Sequence, residues 1–175
     1  MVKVNNNPQR HPYGENDMTT TITGTAARRL NTVDETLSRV LADAIVFYQR
    51  LRFFHWTVQG SMFFVLHEKF EEMYNAWEGH IDEIAERLTS RGSTPPASLK
   101  EVLDISTLDE NNSIPSANEM VQIIHNDLNH MGELIRSLIQ LAEKENDRTT
   151  VNLMDNLNDE SAKQLWMLGS FLNNN

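Results

Sequence analysis

At the head of three apolar runs along this chain a Ser or Thr is followed three residues later by Glu: Thr32 with Glu35, Ser98 with Glu101, and Ser116 with Glu119. The pattern commits the chain to helix starts, because the hydroxyl accepts a backbone N–H three residues on while the Glu side chain reaches back. Behind the first box, Leu37, Leu41, Ala44, Tyr48 and Leu51 recur at helical spacing, with His55 next on the stripe. The turn Gln59-Gly60-Ser61 leads into a second long helix from Phe63 to Arg91, closed by Gly92, with Phe63, Phe70, Trp77, Ile81, Ile84 and Leu88 as its buried stripe. After Pro95-Pro96 the second box opens a short helix through Asp104 that crosses the bundle. The third box starts a helix carrying Val121, Ile124, Leu128, Met131, Ile135, Leu138 and Leu141, ending near Glu145-Asn146-Asp147. A last helix begins near Thr149 or Thr150 and carries Leu153, Leu157, Leu165, Leu168 and Leu172. No stretch carries a strand pattern. The expectation is an all-α four-helix bundle over residues 28–175, with the short helix in the middle crossover connection. Residues 1–27 read as a flexible tail, since Asn5-Asn6-Asn7-Pro8, Pro12, Gly14 and the Thr19 to Thr25 run offer little to bury.

Composition narrows the chemistry. The chain has 175 residues, enough for one domain with a real core, and 39% of them are hydrophobic. It contains no cysteine, so disulfides, zinc thiolate sites and thiol catalysis are excluded together. Any metal site must use His and carboxylate ligands, which suit iron, manganese or zinc. No apolar run approaches the ~20 residues of a membrane span, and the N-terminus lacks a signal-peptide layout, so a cytoplasmic protein is expected. A net charge of −10 disfavours nucleic-acid binding.

The residues that suit a metal are concentrated between His55 and Glu86. His67 and Glu71 are one turn apart on the second helix, as are Asp82 and Glu86, so each pair presents two donors about 5 to 6 Å apart on one face. His55 sits across a short turn from His67 and joins the first pair. The two pairs are separated by roughly 22 Å of helix at ~1.5 Å per residue, so one helix cannot close both around one ion. If two copies of this helix pack antiparallel about a two-fold axis near Asn75 to Gly79, His67 and Glu71 of one chain approach Asp82 and Glu86 of the other. The competing account of the stripe Glu71, Glu78, Asp82 and Glu86 is the solvated face of an amphipathic helix, and His55 on an apolar stripe weighs against it. Asp127-x-x-His130 reads as a surface pair.

The run His55-Trp56-x-x-x-Gly60-x-x-Phe63-Phe64-x-Leu66-His67-x-x-Phe70-Glu71-Glu72-x-Tyr74, followed by Asp82-Glu83-Ile84-Ala85-Glu86-Arg87, closely resembles the Dps family of ferritin-like mini-ferritins. The likeness extends more loosely over about residues 28 to 172, including Trp166-Met167-Leu168. It implies a ferritin-like bundle in a dodecameric homo-oligomeric shell that binds Fe(II), oxidises it with hydrogen peroxide and stores ferric mineral, protecting against oxidative stress. By position, His55, His67 and Glu71 would come from one chain and Asp82 and Glu86 from its mate, with Glu86 bridging. Zinc is a surrogate for iron on such ligands. Trp56, beside His55, would intercept a stray oxidising equivalent or simply pack.

Departures from the family pattern are local. Position 71 is Glu where Asp is common, Thr57 stands where Asn often occurs, and Asn152 occupies a frequently acidic position. Glu143, Glu145, Asp147 and Asp155 are candidates for an iron-entry pore, with solvated surface charge as the alternative. His80, His125 and His130 carry no assigned role, although His80 lies on the same helix as the ligand pairs. The family's DNA binding, often carried by lysine-rich arms, is expected to be weak or absent here. The first 25 residues offer only Lys3 and Arg10 as basic groups, against Glu15 and Asp17, and no basic residue follows Lys163. The reading of a different class is a noncatalytic shell or nucleoid protein of the same fold.

Overall fold

The computed structural model describes residues 32–110 and 113–173. The tail and its expected boundary at residue 27 lie outside the described residues. Five helices follow in order: α1 Val33–Thr57, α2 Phe63–Ser90, α3 Leu99–Ile105, α4 Ala117–Lys144 and α5 Arg148–Leu172. All three sequence-marked starts are real caps. The hydroxyls of Thr32, Ser98 and Ser116 accept the backbone N–H of Glu35, Glu101 and Glu119. At Ser116 the Glu119 carboxylate also accepts the Ser116 N–H at 2.8 Å, completing the box.

Two helices end in the same way. Behind α2, Gly92 N–H donates to the Thr89 carbonyl and Ser93 N–H to that of Leu88, the double bond of a Schellman turn. It requires the left-handed backbone that Gly92 adopts at φ +85. Behind α4, Asn146 does the same work at φ +57, with its N–H on Glu143 and that of Asp147 on Ala142. The tight exit returns the chain immediately as α5.

Cross-helix contacts give the topology. His55 meets His67 across the α1–α2 turn, Arg50 of α1 meets Asp127 of α4, and Trp77 and Arg87 of α2 meet Gln164 and Thr150 of α5. In the α2–α5 pair, rising number on one helix meets falling number on the other, so those two are antiparallel. The tight exit from α4 makes α4 and α5 antiparallel as well, so α2 and α4 run the same way. Joining two parallel helices demands a long crossover, and residues 91–116, with α3 lying against α1, supply it.

The core is apolar and continuous. Leu37, Leu41, Ala44, Phe47, Leu51 and Phe54 of α1 pack with Leu66, Phe70, Met73, Trp77, Ile84 and Leu88 of α2 and with the α4 stripe. Tyr48, Phe63, Ile81, Leu141, Leu153, Leu165 and Leu172, expected inside, are only half-buried, whereas Leu66 and Met73 form part of the seam.

One expectation is corrected. Asp127 is not half of a surface pair with His130, because it is half-buried and ion-paired to Arg50, itself only 8% exposed. Burial pushes its carboxyl up, and the Arg50 guanidinium opposes that shift. Arg50 also donates to the Asp109 carbonyl, so it ties α1 to α4 and to the crossover at once.

Candidate metal centre

Where α1 turns into α2, His55 and His67 face each other with ring centroids 3.8 Å apart and planes inclined by 19°. Each ring's Nδ1 lies 2.8 Å from the other residue's backbone carbonyl. A carbonyl only accepts, so both Nδ1 atoms carry the proton, which leaves Nε2 as the nitrogen whose lone pair can bind a metal. That tautomer is the one a metal-binding histidine needs, with the second nitrogen anchored by a backbone acceptor. Glu71, one turn beyond His67, completes the group, and one donor atom from each of the three lies within 4.8 Å of the others. Among the described residues this is the one cluster of three or more such side chains.

The surrounding rings hold the trio. Phe63 stacks on His67 at 4.9 Å, and Tyr74 meets His55 edge-on at 5.4 Å. Burial, followed by the Glu71 charge, raises the Tyr74 pKa above the ordinary tyrosine value. His55 is 9% exposed while Glu71 is open to solvent. The trio therefore grades from the buried His55 through the half-buried His67 to the exposed Glu71 carboxylate. Two imidazole nitrogens and one carboxylate make a borderline donor set for Fe(II) or Zn(II), with positions left for further oxygen ligands.

The other two expected ligands are elsewhere. Asp82 and Glu86 lie on the exposed side of α2, outside the trio and roughly 22 Å farther along the helix from His67 and Glu71 at ~1.5 Å per residue. Trp56 is 57% exposed, with the Arg52 guanidinium 4.9 Å over its ring. His80 of α2 contacts Glu160 of α5 at 2.9 Å, while His130 reaches Thr107 at 2.6 Å. His125 contacts its neighbour Asn129 at 3.2 Å.

The four pore candidates divide. Glu143 and Asp155 are exposed on α4 and α5. Glu145 pairs with Arg91 at 3.0 Å. Asp147 caps α5 through the Thr150 N–H and pairs with Arg87 at 2.7 Å and with Arg91. Burial works to raise the Asp147 pKa, but the hydrogen bonds from Thr150 and Arg87 prevail and hold it well below the usual carboxylate range.

Sequence reasoning missed Asp43. It is fully buried on α1, where it accepts from Ser106 Oγ at 2.7 Å, Thr107 N–H at 2.6 Å and Thr107 Oγ1 at 2.8 Å. A lone acid between Leu41 and Phe47 on an apolar stripe was the available signal. The roles of Arg50, Arg87 and Arg91 had none, since their partners are distant in sequence.

Comparison with known proteins agrees with the fold. Residues 35–175 match the ferritin family, described as a ferritin-like domain. The chain is 40% identical over 141 residues to DNA protection during starvation protein 2 of Bacillus anthracis, covering 81% of this chain and 97% of that one. A crystal structure of a Dps protein from Bacillus brevis superposes with a TM-score of 0.78 at 38% identity, covering 80% of this chain and 94% of the other. The Dps protein of Vibrio cholerae O1, described as one of a broad superfamily of ferritin-like diiron-carboxylate proteins, gives a TM-score of 0.78 at 28% identity over 83% and 99% of the two chains.

Proposed function

Because the chain belongs to the Dps family of ferritin-like proteins, we propose that it is an iron-storage and detoxification protein, oxidising Fe(II) with hydrogen peroxide at centres shared between two-fold-related copies. The observation that carries the reading is the pair of imidazoles locked by reciprocal backbone bonds beside Glu71. Three ligands are built on one chain, and Asp82 and Glu86 stand unused on the same helix. An antiparallel second copy of α2 brings those two carboxylates to the trio, with Glu86 as the bridging ligand between two ferrous ions.

In the proposed reaction two ferrous ions each give one electron, and peroxide with two protons takes the pair to become two waters. No hydroxyl radical is released. The His55 and His67 nitrogens fix the metal on the dry side, while the carboxylates supply negative charge that favours the ferric state. Ferric product is stored inside a dodecameric, cytoplasmic shell. Zinc occupies the same donors without turnover, because it has no redox chemistry.

Exposed apolar surface supports assembly. Phe64 at 82% and Trp166 at 70% exposure are large side chains that a monomer has no reason to leave in water. Leu99 and Leu103 of α3 border a groove of about 430 Å³, also lined by Ile45, Val46 and Phe53 of α1. Among the described residues no helix is long and apolar enough to cross a membrane.

The name of the Bacillus anthracis relative includes DNA protection. Removing ferrous iron and peroxide together would give such protection without contact, and a net charge of −10 per chain opposes contact at physiological salt. The deciding experiment is anaerobic addition of two Fe(II) per site, then peroxide. Fast ferric absorbance is expected, and its absence would leave only a noncatalytic shell.

A further inference from the structure

We infer that His80 of α2 and Glu160 of α5 form a second binding site for a divalent transition-metal ion, separate from the His55, His67 and Glu71 trio. The inference goes beyond the ferroxidase reading and does not depend on it, since it concerns binding alone. His80 follows His67 on the same helix by roughly 20 Å at ~1.5 Å per residue, so the two sites share no ligand.

The geometry is that of two neighbouring positions around one ion. His80 Nε2 stands 2.9 Å from Glu160 Oε2. Two ligands at a right angle, each about 2.0 to 2.1 Å from a metal, are about 2.9 Å apart. Without an ion, Nε2 donates a proton across this gap, because a carboxylate only accepts. A cation in the proton's place leaves the ring protonated on Nδ1, and the Glu83 carboxylate lies on that side at 3.9 Å. An imidazole with one nitrogen on the ion and a carboxylate behind the other is the arrangement that orients metal-binding histidines.

The ring is backed by the core and the space beside it is open. His80 meets the buried Trp77 edge-on at 5.5 Å, while Glu160 is exposed. Both line a recess of about 410 Å³, and at Gly79 even an added Cβ would meet nothing within 4 Å. Asn156, one turn before Glu160 on α5, lines the same recess and offers an amide oxygen. One nitrogen among oxygens favours the zinc, cobalt and ferrous class over magnesium and calcium, which take oxygen ligands.

The test uses the full chain carrying His67→Ala and Glu71→Gln, which disables the trio, with Co(II) as the probe. Retention is read by equilibrium dialysis against excess Mg(II) and by the visible absorption of bound cobalt. Expected is one Co(II) held per chain, with a melting temperature that rises as cobalt is added. Adding His80→Gln or Glu160→Gln should weaken retention by more than about tenfold, and Glu83→Gln by about tenfold. Glu133→Gln, an equal loss of charge at an exposed position of α4, should leave it unchanged. No retained cobalt in the starting variant, retention undiminished by both His80→Gln and Glu160→Gln, or an equal fall in Glu133→Gln overturns the site. If one of the two ligand variants folds poorly, the other decides. Because the trio is disabled throughout, these results leave the ferroxidase reading untouched, and absence of ferric formation in the wild type leaves this site standing.

Discussion

At the scale of single residues, the His55 and His67 rings behave as one unit. Each ring's Nδ1 proton is held by the other residue's carbonyl, so removing one imidazole unpairs the other residue's carbonyl as well as deleting a metal-donor nitrogen. Replacing His67 by Ala together with Glu71 by Gln is expected to abolish fast ferric formation. Circular dichroism should retain its helical signal, because His67 is only half-buried and Glu71 exposed. Asp147 gives a residue-scale prediction of another kind. Its folded pKa lies below the unfolded carboxylate value near ~3.9, so its contribution is fully present above that value and fades as pH falls through the folded one. In Asp147→Asn, urea midpoints measured down the acid limb should fall less steeply with pH than in the wild type. An unchanged slope would mean that other carboxylates dominate acid unfolding.

At the scale of elements, the crossover is held by a few buried polar anchors. Asp43 accepts three donors from residues 106 and 107, and Arg50 grips both Asp127 and the Asp109 carbonyl. Asp43→Ala removes the charged acceptor shared by three donors of residues 106 and 107 and is expected to cost about 2 to 3 kcal/mol, read as a lower denaturant midpoint at constant protein concentration. Ser116→Ala removes one capping oxygen and should cost about 1 kcal/mol in the same measurement. That ranking is the test: if Asp43→Ala is milder than Ser116→Ala, the anchor does not hold the crossover. At the other end of the bundle, Arg87 and Arg91 draw Asp34, Glu145 and Asp147 into one network that joins α1, α2 and the α4–α5 turn.

At the scale of the whole molecule, the trio and the Asp82 and Glu86 pair lie too far apart on one rigid helix to meet within a chain. Mixed assembly tests whether copies complete each other. One variant lacks His67 and Glu71, the other lacks Asp82 and Glu86, and each alone should be inactive. Co-assembled at random, they should recover about a quarter of the wild-type centres, because half the two-fold pairs are mixed and each mixed pair has one complete site. No recovery in a properly formed oligomer would show that the centre is not shared.

Local chemistry was legible in the order of residues. Helix starts depend on a hydroxyl and a carboxylate three positions apart, and helix faces on a fixed period, so the elements and most of the core followed from the sequence. Spacing alone also put His67 with Glu71 and kept both from Asp82 and Glu86. Contacts between positions far apart in the chain depend on how the helices pack, and no local pattern encodes that. Only the tertiary structure decided that His55 and His67 lock each other's tautomers, that Asp43 and Arg50 fasten the crossover, and that Tyr74 meets His55 edge-on while the Arg52 guanidinium lies over Trp56.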